Sequence, residues 1–141
     1  KNRNIKILSI GCGDGTIEIE LADKLLTSGY KDFRLIGVDL WRILLKKLRE
    51  KAKKYKNSPC AIEIVEGDLN QGVVTGPFDV IFANHALHHI VELESLFDFI
   101  YRELSSYGIF ATVDMIGRNG HMRWPETYGI VRAFWPLLSK N

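Results

Sequence analysis

Residues 5–22, IKILSIGCGDGTIEIELA, decide the reading of this chain. Ile5, Ile7, Leu8 and Ile10 form a short apolar run, rich in β-branched residues and too brief for a helix, so it reads as a buried strand. Gly11, Gly13 and Gly15 then place a glycine at every second position, with Cys12 and Asp14 between them. Ile17, Ile19, Leu21 and Ala22 lead into a helix that ends near Ser28-Gly29. A strand that feeds a helix through a glycine turn leaves backbone N–H groups pointing outward at the helix start. A ligand can approach that main chain closely, because no Cβ stands in the way. The spacing narrows the ligand class. A dinucleotide fingerprint, G-x-G-x-x-G, needs a third glycine where Thr16 stands. A phosphate loop needs Lys-Ser/Thr where Thr16-Ile17 stands.

The remainder alternates. Phe33–Val38 is a second apolar run, closed by Asp39. Trp41–Tyr55 is an amphipathic helix, Ala61–Val65 a third strand closed by Glu66-Gly67-Asp68, and Phe78–Ala83 a fourth. Asn84–Ile90 is a histidine-bearing turn, Glu92–Ser105 a helix, Gly108–Asp114 a fifth strand, and Pro125-Glu126 start a last helix. Strands alternating with helices predict an α/β domain, a doubly wound and mainly parallel sheet with helices on both faces. Ligands of such sheets bind beyond the carboxyl ends of the strands, near the reversal of strand order. That rule selects Gly11–Gly15, Asp39-Leu40, Gly67-Asp68-Leu69, Asn84–His89 and Asp114–His121.

The 141 residues are the size of one domain, taken as residues 1–141. No apolar run approaches the roughly 20 residues of a membrane span, and no signal peptide opens the chain, so the expectation is a cytoplasmic protein without a membrane partner. A start at Lys1 and an end at Asn141 without a structural terminus read as a piece of a longer chain, whose further segments would be partners. A net charge of +2 does not indicate nucleic acid. The helix over residues 41–56 carries eight Lys or Arg residues and Glu50 as its one acid, which reads as a solvated face. Cys12 and Cys60 read as reduced core thiols.

Leu8-Ser9-Ile10-Gly11-Cys12-Gly13-Asp14-Gly15 resembles the first motif of the class I S-adenosylmethionine-dependent methyltransferases. The resemblance covers about residues 5–116. It implies a Rossmann-like methyltransferase core that lacks the last strands of the full fold. The family usually has Asp or Glu two residues before the first glycine, where this chain has the uncharged Ser9. The cofactor implied is S-adenosyl-L-methionine, with Ser9 and Gly11–Gly15 beside its methionine and ribose. Asp39 would accept the ribose hydroxyls, with an N-cap for the following helix as its alternative or additional role. Leu40 would pack on the adenine. Asp68 would meet the exocyclic amine and the Leu69 N–H the ring. Asn84 and His85 match the family's fourth motif, near the methionine portion and the methyl group.

The implied reaction is in-line attack on the methyl of a sulfonium, so the protein supplies alignment and, where the acceptor must lose a proton, a base. His85 and His88 are the candidates for that base. His88 and His89 are adjacent and no carboxylate completes a zinc pattern, so no metal site is expected. In Gly117–Trp124, GRNGHMRW, His121, Arg123 and Trp124 are candidates to touch an acceptor, with His121 and Trp124 the two assigned to it. The acceptor is expected to be a small molecule. Two other readings stay open: a module that binds the cofactor without transfer, supported by Ser9, and a nicotinamide oxidoreductase, opposed by Thr16.

Overall fold

A computed structural model describes residues 4–115 and 125–134. Strand β1 spans Ile5–Ile10, helix α1 Thr16–Thr27, β2 Phe33–Asp39, α2 Arg42–Ala52, β3 Ala61–Glu66, β4 Phe78–Asn84, α3 Leu93–Glu103, β5 Leu104–Val113 and α4 Pro125–Phe134. Short 3₁₀ turns cover Lys53–Tyr55, Leu69–Gln71 and Leu87–His89. The five strands form one sheet in the order β3-β2-β1-β4-β5, every pair parallel. Strand order therefore reverses between β1 and β4, and the glycine turn leaves β1 at that point.

Alternation along β1 divides the core. Leu8 and Ile10 join Ile36, Val38, Ile81 and Ala83 beneath Leu96, Phe99 and Ile100 of α3. Ile7 joins Phe33 and Leu35 on the opposite layer, beneath Ala22 of α1 with Leu25 packed alongside. Ser9 has the strand parity of Ile7, so it enters the α1 layer. Leu45 and Leu48 of α2 close around Cys12. Both cysteines are buried and free.

Two boundaries differ from the expectation. Helix α3 stops at Glu103 and β5 begins at once with Leu104, which is already extended at φ −77° and ψ 138°. The expected helix ran to Ser105 and the expected strand began at Gly108. Serines are poor helix formers, and pairing with β4 carries the chain from there. Helix α2 likewise ends at Ala52 and tightens into a 3₁₀ turn before Tyr55.

The basic face of α2 is partly engaged. Lys51 pairs with Asp14 at 2.7 Å, Lys54 with Asp23 at 2.6 Å and Lys53 with Glu50 at 2.5 Å. The first clips α2 to the glycine loop, and the second clips the 3₁₀ turn after α2 to the middle of α1. No helix among the described residues is long and apolar enough to cross a membrane.

Gly15 sets the junction between loop and helix. Its φ is +75°, and a Cβ there would drive into the side chain of Leu48, which is fully buried. Both the conformation and the space exclude a larger residue. Gly15→Ala should therefore lower stability by about 2 kcal/mol or more, read as a drop in the urea midpoint; an unchanged midpoint would refute the packing described here.

Candidate functional site

The loop after β1 is pinned to β2. Gly11 and Cys12 both donate their N–H groups to the Val38 carbonyl, at 2.9 and 3.1 Å. Gly13 donates to Asp39 Oδ2 at 2.8 Å, and Gly15 closes the turn onto the Cys12 carbonyl at 2.9 Å. Asp39 also takes the Trp41 N–H on Oδ1 at 2.7 Å, and its own carbonyl accepts the Gly67 N–H at 3.1 Å. One residue thus ties together the ends of β2 and β3 and the glycine loop. The alternative role of Asp39 as an N-cap is corrected: the cap position of α2 is Trp41, and Asp39 stands two residues earlier, holding the Trp41 N–H in a local turn. Each carboxylate oxygen accepts one backbone donor and keeps capacity for another.

Gly11 lies against the turn that follows β4. A Cβ on it would stand 2.5 Å from Cβ of Ala86. The histidine turn and the glycine loop therefore touch across the reversal of strand order. Between them opens a cavity of about 210 Å³, lined by Ser9, Gly11, Cys12, Gly13, Asp14, Thr16, Ile17, Glu18 and Asn84.

The cavity-lining carboxylates differ. Asp14 receives Lys51 Nζ on Oδ2 at 2.7 Å and the Thr16 hydroxyl on Oδ1 at 2.8 Å. The Lys51 and Thr16 hydrogen bonds bring its carboxyl down to about 2. Its side chain is engaged in joining the glycine loop to the start of α1 and to α2. Glu18 is nearly sealed, at 3 % exposure, on the face of α1 that also buries Ala22. Its Oε1 accepts the Ser9 hydroxyl at 2.5 Å, while Oε2 is out of solvent with no hydrogen-bond partner among the described residues. Desolvation raises its pKa, against the opposing hydrogen bond from Ser9. Cys12 lines the cavity as a thiol, because burial pushes its pKa up, with Glu18 and Asp39 adding to the effect.

The histidines separate by environment. His85 is exposed, at φ +50°, with its N–H on the Val113 carbonyl at 2.8 Å. His88 is turned inward, its Nδ1 2.6 Å from Asp114 Oδ1, with both side chains about one-eighth exposed at 13 % and 12 %. Asp114 also accepts the N–H groups of Leu87 and Met115, each at 2.7 Å. Desolvation pushes the Asp114 carboxyl up, but the hydrogen bond from His88 and those from Met115 and Leu87 outweigh it and hold the group at about 2. An ionised Asp114 beside Nδ1 selects the tautomer that carries its proton there, which leaves Nε2 as the proton-accepting atom. Among the described residues no group of three His, Cys, Asp or Glu side chains could hold a metal ion.

The structure brings Ser9, Gly11, Cys12, Gly13, Asp14 and Asn84 into one cavity, with Asp39 against it through Gly13. Gly15 shapes the turn without lining the space. Leu40, Asp68 and Leu69 stand at the neighbouring ends of β2 and β3, outside the lining. Leu40 is 66 % exposed, whereas the Leu69 side chain is buried in the α3 layer, so that residue can offer a ligand its backbone alone. His121, Arg123 and Trp124 fall outside the described residues. Sequence reasoning missed Glu18, and it placed Asp114 among the strand-end residues without giving it a role. Glu18 had one signal: it lies four residues before Ala22, on the helix face that packs inward.

The family model described as a methyltransferase domain matches residues 1–125. The chain is similar to the malonyl-[acyl-carrier protein] O-methyltransferase of Legionella pneumophila, with 29 % identity over 138 residues, 96 % of this chain and 42 % of that protein. It is similar to the sterol 24-C-methyltransferase of Debaryomyces hansenii, with 27 % identity over 116 residues, 82 % of this chain and 29 % of that protein. The chain thus spans less than half the length of these curated relatives. Among solved structures, coclaurine N-methyltransferase bound to N-methylheliamine and S-adenosylhomocysteine superposes with a TM-score of 0.63. That match has 20 % identity over 76 % of this chain and 30 % of the other, and it shows the fold alone.

The Asp114 geometry predicts an acid-dependent contribution to stability. The carboxyl is depressed from 3.8 to about 2 on folding, so it stabilises fully above 3.8 and loses that contribution as pH falls through about 2. The urea midpoint of the wild type should exceed that of Asp114→Asn at neutral pH, and the gap should narrow steadily below 3.8. A gap independent of pH would contradict it.

Proposed function

The chain belongs to the methyltransferase domain family, and on that premise we propose that it binds S-adenosyl-L-methionine at the glycine loop and takes part in methyl transfer to a small-molecule acceptor. The observation that carries the reading is the cavity at the reversal of strand order, walled by the glycine loop on one side and Asn84 on the other. The residues present fit the group. The loop offers main chain without side chains, Asp39 offers a carboxylate with spare acceptor capacity, and a buried carboxylate oxygen lacks a partner on the cavity wall. A cationic ligand suits such a lining.

When bound, the cofactor supplies a methyl group already activated on a sulfonium. The residues of this chain then have distinct tasks. Asp39 receives the ribose hydroxyls while keeping the Gly13 and Trp41 N–H groups in place. Leu40 covers the adenine, Asp68 takes its exocyclic amine, and the Leu69 N–H meets the ring. Asn84 and His85, at the end of β4, border the methionine end. His88 accepts a proton from the acceptor at Nε2, and Asp114 stabilises the imidazolium that forms, with Nδ1–H held on its carboxylate. His121 and Trp124 are the residues assigned to the acceptor. The acceptor class is supported by the printed activity of one relative, which acts on a sterol. Further segments of a longer chain would complete the acceptor side, in a protein that works in the cytoplasm.

Calorimetric titration with S-adenosylhomocysteine tests the cofactor part. Saturable binding is expected, weakened at least roughly tenfold, about 1.4 kcal/mol, in Asp39→Ala. Absence of binding by a chain shown to be folded by circular dichroism would refute the assignment. Unchanged affinity in the variant would remove Asp39 from the ribose. The acceptor part is tested by incubating the chain and labelled S-adenosyl-L-methionine with size-fractionated cell extract: label should enter the small-molecule fraction, and label confined to protein or RNA would overturn that class.

A further inference from the structure

The Ser9–Glu18 pair is out of keeping with its surroundings. It lies in the layer between the sheet and α1, whose other inward residues include Ile7, Ala22, Phe33 and Leu35. A helix that needed only to cover the sheet would place an apolar side chain at position 18. Glu18 instead buries a carboxyl group with one oxygen satisfied by Ser9 and the other satisfied by nothing described. An unpaired carboxylate in such a place is costly, and a partner of opposite charge removes most of that cost. Asp14 does not need such a partner, because Lys51 already neutralises it. Glu18 is thus the cavity-lining carboxylate whose charge is left over, in a cavity that opens where the glycine loop meets β1.

We propose that Glu18 is the anionic recognition group for the α-ammonium of the bound cofactor's methionine portion, with Ser9 fixing its orientation. The inference rests on the cofactor reading above. Glu18 lies in the first turn of α1, just beyond the glycine loop, and Ser9 at the end of β1 donates its hydroxyl to it. An ammonium has protons to donate to Oε2, whereas a sulfonium has none, so hydrogen bonding selects the ammonium as the partner. The Ser9 hydroxyl, held on Oε1, leaves Oε2 as the oxygen offered to the ligand.

The test compares S-adenosylhomocysteine with its deamino analogue, which lacks the α-amine alone. Both are neutral at sulfur, so any preference between them reports the ammonium. The wild type should prefer the amine-bearing ligand by roughly tenfold or more, and Glu18→Gln should lose most of that preference. A preference that survives in Glu18→Gln overturns the proposal, as does a wild type that binds both ligands equally. Failure of the folded wild type to bind S-adenosylhomocysteine overturns the cofactor reading instead.

A second measurement needs no variant. Burial raises the Glu18 pKa and an arriving ammonium opposes that shift, so binding releases protons at any pH where the free group still holds its own. The other charged or titratable groups facing Glu18 are Asp14 and Cys12 from the loop and Lys51 from α2, and both ligands leave them in the same company. Titrations at pH values stepped upward from 4.5, in buffers of different ionisation heat, should show proton release with S-adenosylhomocysteine and not with the deamino analogue. Equal proton exchange for the two ligands at every pH overturns the proposal.

Discussion

The hydrogen bond from the Gly13 N–H to Asp39 Oδ2 is the constraint on which the site depends. A loop of alternating glycines has little preference of its own and would sample many conformations. Here it has one, because Val38 and Asp39 at the end of β2 accept three of its N–H groups. The same Asp39 draws in β3 through Gly67 and starts the turn into α2 through Trp41. Placement of a ligand-facing loop is thereby tied to the register of a buried parallel sheet. Register in such a sheet is fixed by which side chains must enter the core, so the loop inherits the rigidity of the strands.

Much of this was legible locally. A β-branched run, alternating glycines and a helical pattern are decided within a few residues of one another, and β1, the loop and α1 stand where the pattern of residues 5–22 puts them. Strand-end residues gathered on one edge because parallel strands share a direction. What escaped was non-local. Asp114 meets His88 across 26 residues, and nothing near Asp114 announces that partner. The choice among three histidines was equally hidden. The 3₁₀ turn at Leu87–His89 sets His88 inward and leaves His89 exposed, although their ring centroids are 3.9 Å apart. The start of β5 was missed because pairing with β4 overrides the helical pattern that a single sequence displays.

Glu18 was missed for a different reason. The apolar residues Ile17, Ile19, Leu21 and Ala22 drew the eye to a stripe, but Ile17 is 43 % exposed and the inward position belongs to Glu18. An acid on the buried face of a helix breaks the agreement between local pattern and fold, and such breaks concentrate where function has been placed. The other carboxylates discussed follow the ordinary rule. Asp14 has a lysine, Asp39 has two backbone donors, and Asp114 has a histidine and two backbone donors.

The contrast separates two ways of using a charge. Asp14 and Asp114 act as struts, their charge stabilised inside the chain, while Asp39 holds the loop and keeps acceptor capacity on both oxygens. Glu18 is kept short of saturation on the wall of the cavity, buried between the sheet and α1. Its unsatisfied oxygen makes the free chain less stable than an apolar residue would, and that deficit becomes affinity for whatever cation completes the pair. Stability given up at one atom is in this way converted into selectivity at the site, and the rigid loop held by Asp39 determines where the cation must stand.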